Sequence, residues 1–506
     1  MLNARISIAK SFLLKGKNYL PFATAVAFLI LYLLGLSHNN SLDAWGYAAD
    51  VKNGQDLFLP HHLLYNALGY CWIKLLQIFT EVEVIRALQG MNAIFAFLSL
   101  VVLAATLTRL DISVKTVTAL IVQVGSSWSV MRFATENEAY IVPIFFSMLG
   151  SYFLLTFLQK NRIGLLVTSG LLFAVAALFH QVMFFGWLAV VVSLAVKRNK
   201  FWKAVIFAVP ALVVPLTYLL AFVAINHNFS ISGLVRFMLS DYITGSASIS
   251  LSAKSLLLFV ISVIRTFMQV HGYMWVLLKA NWFLWSVTVF VLFLLGKGLL
   301  VFIKQKVEFS SNIFLQIAVT ALVFHLLFSI FSGGNAEFLV MLPFLVAIII
   351  AFAKQINLQC LWLVAIGLFT WNVAFGLLPL RYKTLDDSPM VINRILQDSS
   401  AVADIYILNS VPRIENELDY MKVQARPTFI KSEDLRNPAI RDSIDNLLKS
   451  GLKVYTNAYH RPQTVSRETI VGNSMDEALK NYVKIPVDSV NTITGKYYLF
   501  QFIDPK

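Results

Sequence analysis

Long apolar runs separated by short polar connections set the pattern of this 506-residue chain. Apolar runs fall near 19–36, 87–108, 113–131, 141–158, 163–180, 182–197, 204–225, 282–303, 312–331, 337–353 and 358–379. Most are about 18 to 22 residues long, the length a helix needs to cross a hydrocarbon core. Two further apolar stretches, 61–79 and 255–275, carry His61, His62, Lys74, Arg265 and His271. Counting either one as a crossing inverts every later connection, so both read as amphipathic helices at the outer interface. The pattern predicts a polytopic α-helical membrane protein with about eleven transmembrane helices, twelve or thirteen being the alternative counts.

After "LLPLRYKTLDD" the pattern changes. Short alternating runs, "DIYILN", "PTFIK", "KVYTNAY" and "KYYLFQF", read as strands. Between them "RIENELDYM" and "NPAIRDSIDNLLKSG" read as helices, the second closed by a glycine. The chain thus divides into a transmembrane domain, 1–380, and a small soluble α/β domain, 381–506.

Charge orients the spans. The net charge of +14 could point to nucleic acid, but residues 381–506 hold 17 basic and 16 acidic groups, leaving 24 and 11 for residues 1–380. With Arg5, Lys10, Lys15 and Lys17 cytoplasmic, the connections "RLDISVK", "QKNR", "VKRNKFWK", "KQKVEF" and Lys354 also fall inside. That partition puts 16 basic and 2 acidic residues inside, against 8 basic and 9 acidic outside. Basic residues accumulate on the cytoplasmic side of membrane proteins. The expected location is a plasma membrane, bacterial inner membrane in type, with the C-terminal domain extracytoplasmic. A composition that is 58% hydrophobic excludes a soluble enzyme of this length. Cys71 and Cys360 are isolated in apolar sequence and imply neither a disulfide nor a metal site.

Chemistry, then, belongs outside, where nine of the eleven carboxylates fall. "SLDAWGYAADVKNGQDLFLPHHLLYN" directly follows the first span. In a helix over 43–53, Asp43 and Asp50 share a face with Tyr47 between them. A carboxylate held at a membrane boundary is partly desolvated and so a stronger base. A second acidic group, Glu136 and Glu138 in "RFATENEAY", follows the third span; a helix N-terminal charge is the plainer role for either. A third, Glu337, opens a helix after the Gly333–Gly334 break, as an ordinary capped turn also would. His61 and His62, with Lys52, Lys74 or Arg86, offer positive charge to a phosphate. Vicinal histidines seldom converge on one ion, and no metal site is expected. No P-loop, nucleophile elbow or dinucleotide fingerprint is present, so a reactive donor must be membrane-borne.

The first loop resembles that of the GT-C fold glycosyltransferases, which include the protein O-mannosyltransferases and the aminoarabinose transferases of lipid A. The recurring elements are Asp43, Tyr47, Ala48 or Ala49, Gly54, Pro60 and Tyr65, followed by an acidic cluster after the third span. The resemblance covers roughly residues 15–200. It implies transfer of a sugar from a polyprenyl-phosphate donor to an acceptor glycan, lipid or protein on the outer face, with inversion. Carried over, Asp43 is the general base and Glu136 or Glu138 the second acid. Asp50, Tyr47, Lys52, His61, His62, Tyr65, Arg86 and Glu337 are the expected substrate-binding residues. Many relatives have two adjacent acids in this loop, whereas Ala44 follows Asp43 here, which weakens a metal-binding pair. No cofactor is required by the sequence, although a divalent cation is compatible with it. Two rivals stand: a lipid or solute transporter, against which the lack of internal repeats argues, and an O-antigen-ligase-like or polymerase-like enzyme relying on Arg236, Arg265 and His271.

Overall fold

The computed structural model describes residues 19–243, 252–397, 404–458 and 482–503. Arg5, Lys10, Lys15, Lys17 and Lys506 lie outside the described residues, as does the end of the "KVYTNAY" run. Among those described, six helices are long and apolar enough to cross a membrane: Val84–Thr108, Ile141–Lys160, Phe201–Asn226, Phe283–Ile303, Ile313–Phe331 and Leu358–Tyr382. Shorter apolar helices cover Tyr19–Leu34, Val114–Ser126, Ile163–Phe179, Gln181–Ala195 and Ala336–Ala351. Inward-facing residues of these helices, among them Tyr32, Leu100, Leu120, Ile144 and Phe344, build one large core. Phe283–Ile303 instead turns large side chains outward, with Phe293 62% and Leu300 61% exposed. A contiguous apolar surface of this kind belongs against lipid rather than water.

Two of the expected runs are broken and a third is distorted. The third span stops at Ser127, whose extended backbone (φ −59°, ψ 136°) interrupts the helix, and restarts as Trp128–Thr135. The run at 255–275 becomes two helices, Ala253–Phe267 and Tyr273–Ala280. The last run passes from Leu358–Asn372 through a wide turn at Val373–Leu377 into Leu378–Tyr382. Pro379 has no N–H to give the carbonyl four residues before it. That carbonyl, on Phe375, accepts the Tyr273 hydroxyl instead, at 2.9 Å.

The connections expected on the cytoplasmic side adjoin one another. β1 (Glu308–Phe309) pairs antiparallel with β2 (Ala353–Lys354). The Gln159 side chain donates to the Arg109 carbonyl at 3.1 Å, and Lys203 to the Asn161 side chain at 3.1 Å.

The C-terminal segment holds β3 (Ile405–Leu408), β4 (Thr428–Lys431), β5 (Val454–Thr456), β6 (Val483–Thr492) and β7 (Gly495–Ile503), ordered β4-β3-β5-β7-β6. The first three run parallel, and β7 is antiparallel to both its neighbours. Side-chain alternation divides β3 between two cores. Tyr406 and Leu408 meet Val391, Ile414 and Leu418 on one face, while Ile405 and Ile407 meet Leu435, Ile444 and Leu448 on the other. The sequence pattern shows four of the strands but not β6, where Pro486 and a register shift before Asp488 break the alternation of a largely exposed edge strand. The Val411–Met421 helix packs on Leu42–Asn53, the helix that carries Asp43. Asn416 donates to the Leu42 carbonyl at 3.0 Å, and the Trp45 and Tyr420 rings lie 5.1 Å apart.

Candidate active site

The Asp43 helix begins where Ser41 caps it. The Ser41 hydroxyl accepts from the Ala44 amide at 2.9 Å, and Asp43 occupies the first turn, where the helix dipole favours negative charge. The same hydroxyl donates to the Glu138 carboxylate. The acidic loop is held from three sides. Asn92 donates to the Glu136 and Glu138 carbonyls, each at 2.8 Å, and Asn137 donates to the Ala44 carbonyl at 2.8 Å. The Tyr65 hydroxyl in turn donates to the Asn137 side chain at 2.8 Å.

Each acid of this loop has a partner. Glu136 is 2% exposed and takes Arg132 Nε at 3.1 Å, one helical turn away. Glu138, equally buried, is held by Ser41. Glu337 accepts the Tyr140 hydroxyl at 3.1 Å. The turn before Glu337 needs glycine. Gly334 has φ +73°, and a Cβ there would lie 2.5 Å from the Phe259 backbone nitrogen. This close approach seats the turn on the Ala253–Phe267 helix, where the Ser262 hydroxyl donates to the Gly334 carbonyl. Arg265, on the same helix, is within electrostatic reach of both Glu136 and Glu337.

Asp43 is different. Its side chain is exposed and has no hydrogen bond or ion pair among the described residues. Crowding by the surrounding protein raises its pKa, Glu337 adds to the rise, and Arg132 opposes it. Glu138 is raised well above the usual carboxylate range, first by burial and then by Glu337 and Asp43. The acids therefore act on one another electrostatically, and one of them is without a protein partner.

An open cavity of 350 Å³ adjoins this group, its wall reaching Ser41 and Leu42, immediately before Asp43. Arg132, Arg265 and Arg413 are its cations, with His271, whose pKa burial and the neighbouring Arg265 and Arg132 lower to about 4, and with Trp128 and Tyr273 as aromatic walls. Of these, the sequence pattern attaches Arg265 and His271 to a rival function and does not single out Arg132 or Arg413. "RFATENE" carries the i, i+4 spacing that could have shown Arg132 to be the partner of Glu136.

The residues expected to surround Asp43 are dispersed. Tyr47 and Asp50 do face the Tyr65–Gln77 helix, but away from the cavity. The Tyr47 hydroxyl meets His62 Nε2 at 2.7 Å, and Asp50 accepts from Asn66 at 3.0 Å. Burial raises the Asp50 pKa to about 7, with Asp56 adding and the Asn66 hydrogen bond opposing. His62 is no interfacial cation. It is 4% exposed, and burial holds its pKa well below the usual value, with His61 and His180 adding to the effect. A neutral ring packed among Tyr47, His61 and His180 is part of the core. Lys52 lies 4.2 Å above the Tyr420 ring and donates to the Tyr420 carbonyl at 2.8 Å. Arg86 donates to the Ser37 carbonyl at 2.8 Å and meets His38. Among the described residues no group of three or more metal-ligating side chains converges.

No family model matches the chain, and no curated protein matches its sequence. Solved structures do match in fold. ArnT from Cupriavidus metallidurans bound to undecaprenyl phosphate aligns with a TM-score of 0.56 at 12% identity, over 96% of this chain and 98% of ArnT. Its apo form aligns equally well, at 11% identity over 95% and 97%. The Archaeoglobus fulgidus oligosaccharyltransferase tethered to an acceptor peptide aligns with a TM-score of 0.50 at 9% identity, over 88% of this chain and 70% of that enzyme. At such identities the likeness establishes architecture, and the architecture is the GT-C fold that the first loop resembles.

Proposed function

We propose that the chain is a membrane glycosyltransferase that moves a sugar from a polyprenyl-phosphate donor to an acceptor hydroxyl on the extracytoplasmic face. The observation that carries this reading is the unpartnered Asp43 carboxylate beside a cation-lined cavity, in a fold shared with a protein solved with undecaprenyl phosphate. In the proposed step the acceptor oxygen attacks the anomeric carbon and the bond from that carbon to the phosphate oxygen breaks. The acceptor proton passes to Asp43, and Arg265 and Arg132 receive the developing phosphate charge. Attack opposite the leaving phosphate inverts the anomeric centre. Glu136, Glu138 and Glu337 position this apparatus through their partners. The proposal includes eleven spans, a cytoplasmic N-terminus and an outer C-terminal α/β domain covering the Asp43 helix.

The test is sugar transfer by purified protein in lipid, with Asp43→Asn compared with wild type at equal donor occupancy. Loss of a general base slows reactions by about a hundredfold to ten-thousandfold. The variant is expected to fold and to bind donor without transferring sugar. Near-normal transfer by it would remove the mechanism.

A further inference from the structure

A second concentration of positive charge lies apart from the Asp43 carboxyl, around a cavity of 420 Å³ between the first outer loop and the C-terminal segment. His38, Arg381, Lys383 and Arg413 are in its wall. His38 stands between two guanidinium groups. Arg86 Nη2 is 2.8 Å from one ring nitrogen, Nδ1, and Arg381 Nη1 is 2.8 Å from the other, Nε2. Guanidinium groups only donate, while a neutral imidazole offers one lone pair and one N–H. In either tautomer, one arginine therefore faces a second donor.

The remaining contacts do not correct this imbalance. Arg86 Nη1 donates to the Ser37 carbonyl at 2.8 Å and to the Gln89 side chain at 3.1 Å. Arg86 and Arg381 both reach the Leu36 carbonyl, at 3.5 and 3.2 Å, but Arg86 Nη2 has His38 alone among the described residues. Arg381 Nε is buried without a hydrogen-bond partner. Neither arginine forms an ion pair with a carboxylate among the described residues; Glu83 attracts Arg86 only at longer range. Asp386 is engaged by Arg413 at 2.7 Å, which leaves Glu417 as the other acid of the wall. Bracing a loop through main-chain carbonyls needs one arginine. It does not account for two of them on one histidine, with Lys383 exposed at the rim.

We propose that Arg86, His38 and Arg381 form an anion site for a phosphate group, borne by a phosphomonoester or by a phospholipid headgroup, distinct from the site beside Asp43. A tetrahedral oxyanion offers each guanidinium the acceptor that His38 cannot offer both, and the imidazole then donates to it. Lys383 adds a point charge from the rim. Asn39, Asn40, Asp386 and Arg413 line both cavities, so a phosphate here adjoins whatever occupies the first. The inference concerns binding and does not depend on sugar transfer.

The experiment uses the full-length protein in phosphatidylcholine nanodiscs. One arm titrates glucose 1-phosphate and reads binding calorimetrically. The other replaces part of the lipid with phosphatidylglycerol and counts the anionic lipids retained, by native mass spectrometry. Wild type is expected to bind in at least one arm, and the arm that responds identifies the source of the phosphate. Lys383→Gln should weaken that binding about tenfold, and Arg381→Gln by more, because hydrogen bonds to charged groups are the strong ones. Arg265→Gln, in the other cavity, should leave it within about twofold. Because Arg381 also holds the Leu36 carbonyl, the exposed Lys383 carries the test if Arg381→Gln does not fold. Absence of binding in both arms overturns the proposal. So does binding that is indifferent to Lys383 and Arg381, or lost only in Arg265→Gln.

Discussion

Ser41 and Glu138, 97 residues apart, share one hydrogen bond, and through it the cap of the Asp43 helix is tied to the acidic loop after the third span. Ser41 both caps the helix and donates to the buried acid. Removing it therefore loosens two elements together. Ser41→Ala is expected to cost about 1 kcal/mol of stability, as lost N-caps typically do. If the tie also orients the site, transfer should fall more than stability does. Thermal unfolding and transfer rates measured on the same preparation separate the two effects, and an unchanged rate would confine Ser41 to capping.

Glu337→Gln keeps the shape of the side chain and an acceptor for the Tyr140 hydroxyl, but removes a charge that raises the Asp43 pKa. The variant should fold, and the acidic limb of its pH–rate profile should shift to lower pH, since Asp43 then ionises more easily. A profile that superimposes on wild type would show that the two carboxylates do not communicate.

His62 is expected to matter for folding rather than for donor charge. Its ring meets Tyr47 at 2.7 Å inside the core. His62→Ala leaves a cavity and an unpaired tyrosine hydroxyl, together costing on the order of 2–4 kcal/mol. A lowered melting temperature with retained donor affinity supports this placement. A stable variant with weakened donor binding would restore the phosphate role.

Stability should decline as the pH rises through 7. Burial pushes the Glu417 pKa up to about 7 from 4.5, against the attraction of Arg413. The folded protein thus holds a proton that the unfolded chain releases above pH 4.5. The stabilising contribution is full below that value and disappears as pH passes through the folded pKa. Glu417→Gln mimics the protonated form, so its melting temperature should fall less than that of wild type between pH 5 and 8. Parallel curves would remove Glu417 as the source.

Topology is testable at Lys306, in the connection before β1. With eleven spans and the N-terminus inside, a cysteine placed there should be labelled from the cytoplasmic side only. Labelling from outside would turn 61–79 or 255–275 into a crossing.

Local pattern alone made much of this protein legible. The length of its apolar runs announced the helices, because crossing a hydrocarbon core sets a minimum length whatever lies beside them. Alternation in "DIYILN" and "KYYLFQF" announced β3 and β7, because a strand's two faces are written in adjacent residues. Scarcity of carboxylates in apolar sequence was enough to single out Asp43, Glu136, Glu138 and Glu337. Apart from the i, i+4 pairing of Glu136 with Arg132, their fates were not legible. Glu136 is paired with Arg132 one turn away, Glu138 accepts from Ser41, and Glu337 accepts from Tyr140, which is 197 residues distant. Asp43 is left without a partner, and Lys52, Arg86 and His62 are engaged elsewhere. Whether a charged group is free or engaged depends on which side chains the folded helices bring within about 3 Å of it. For Asp43, Glu138 and Glu337 that is a property of packing between distant segments, which no local spacing encodes.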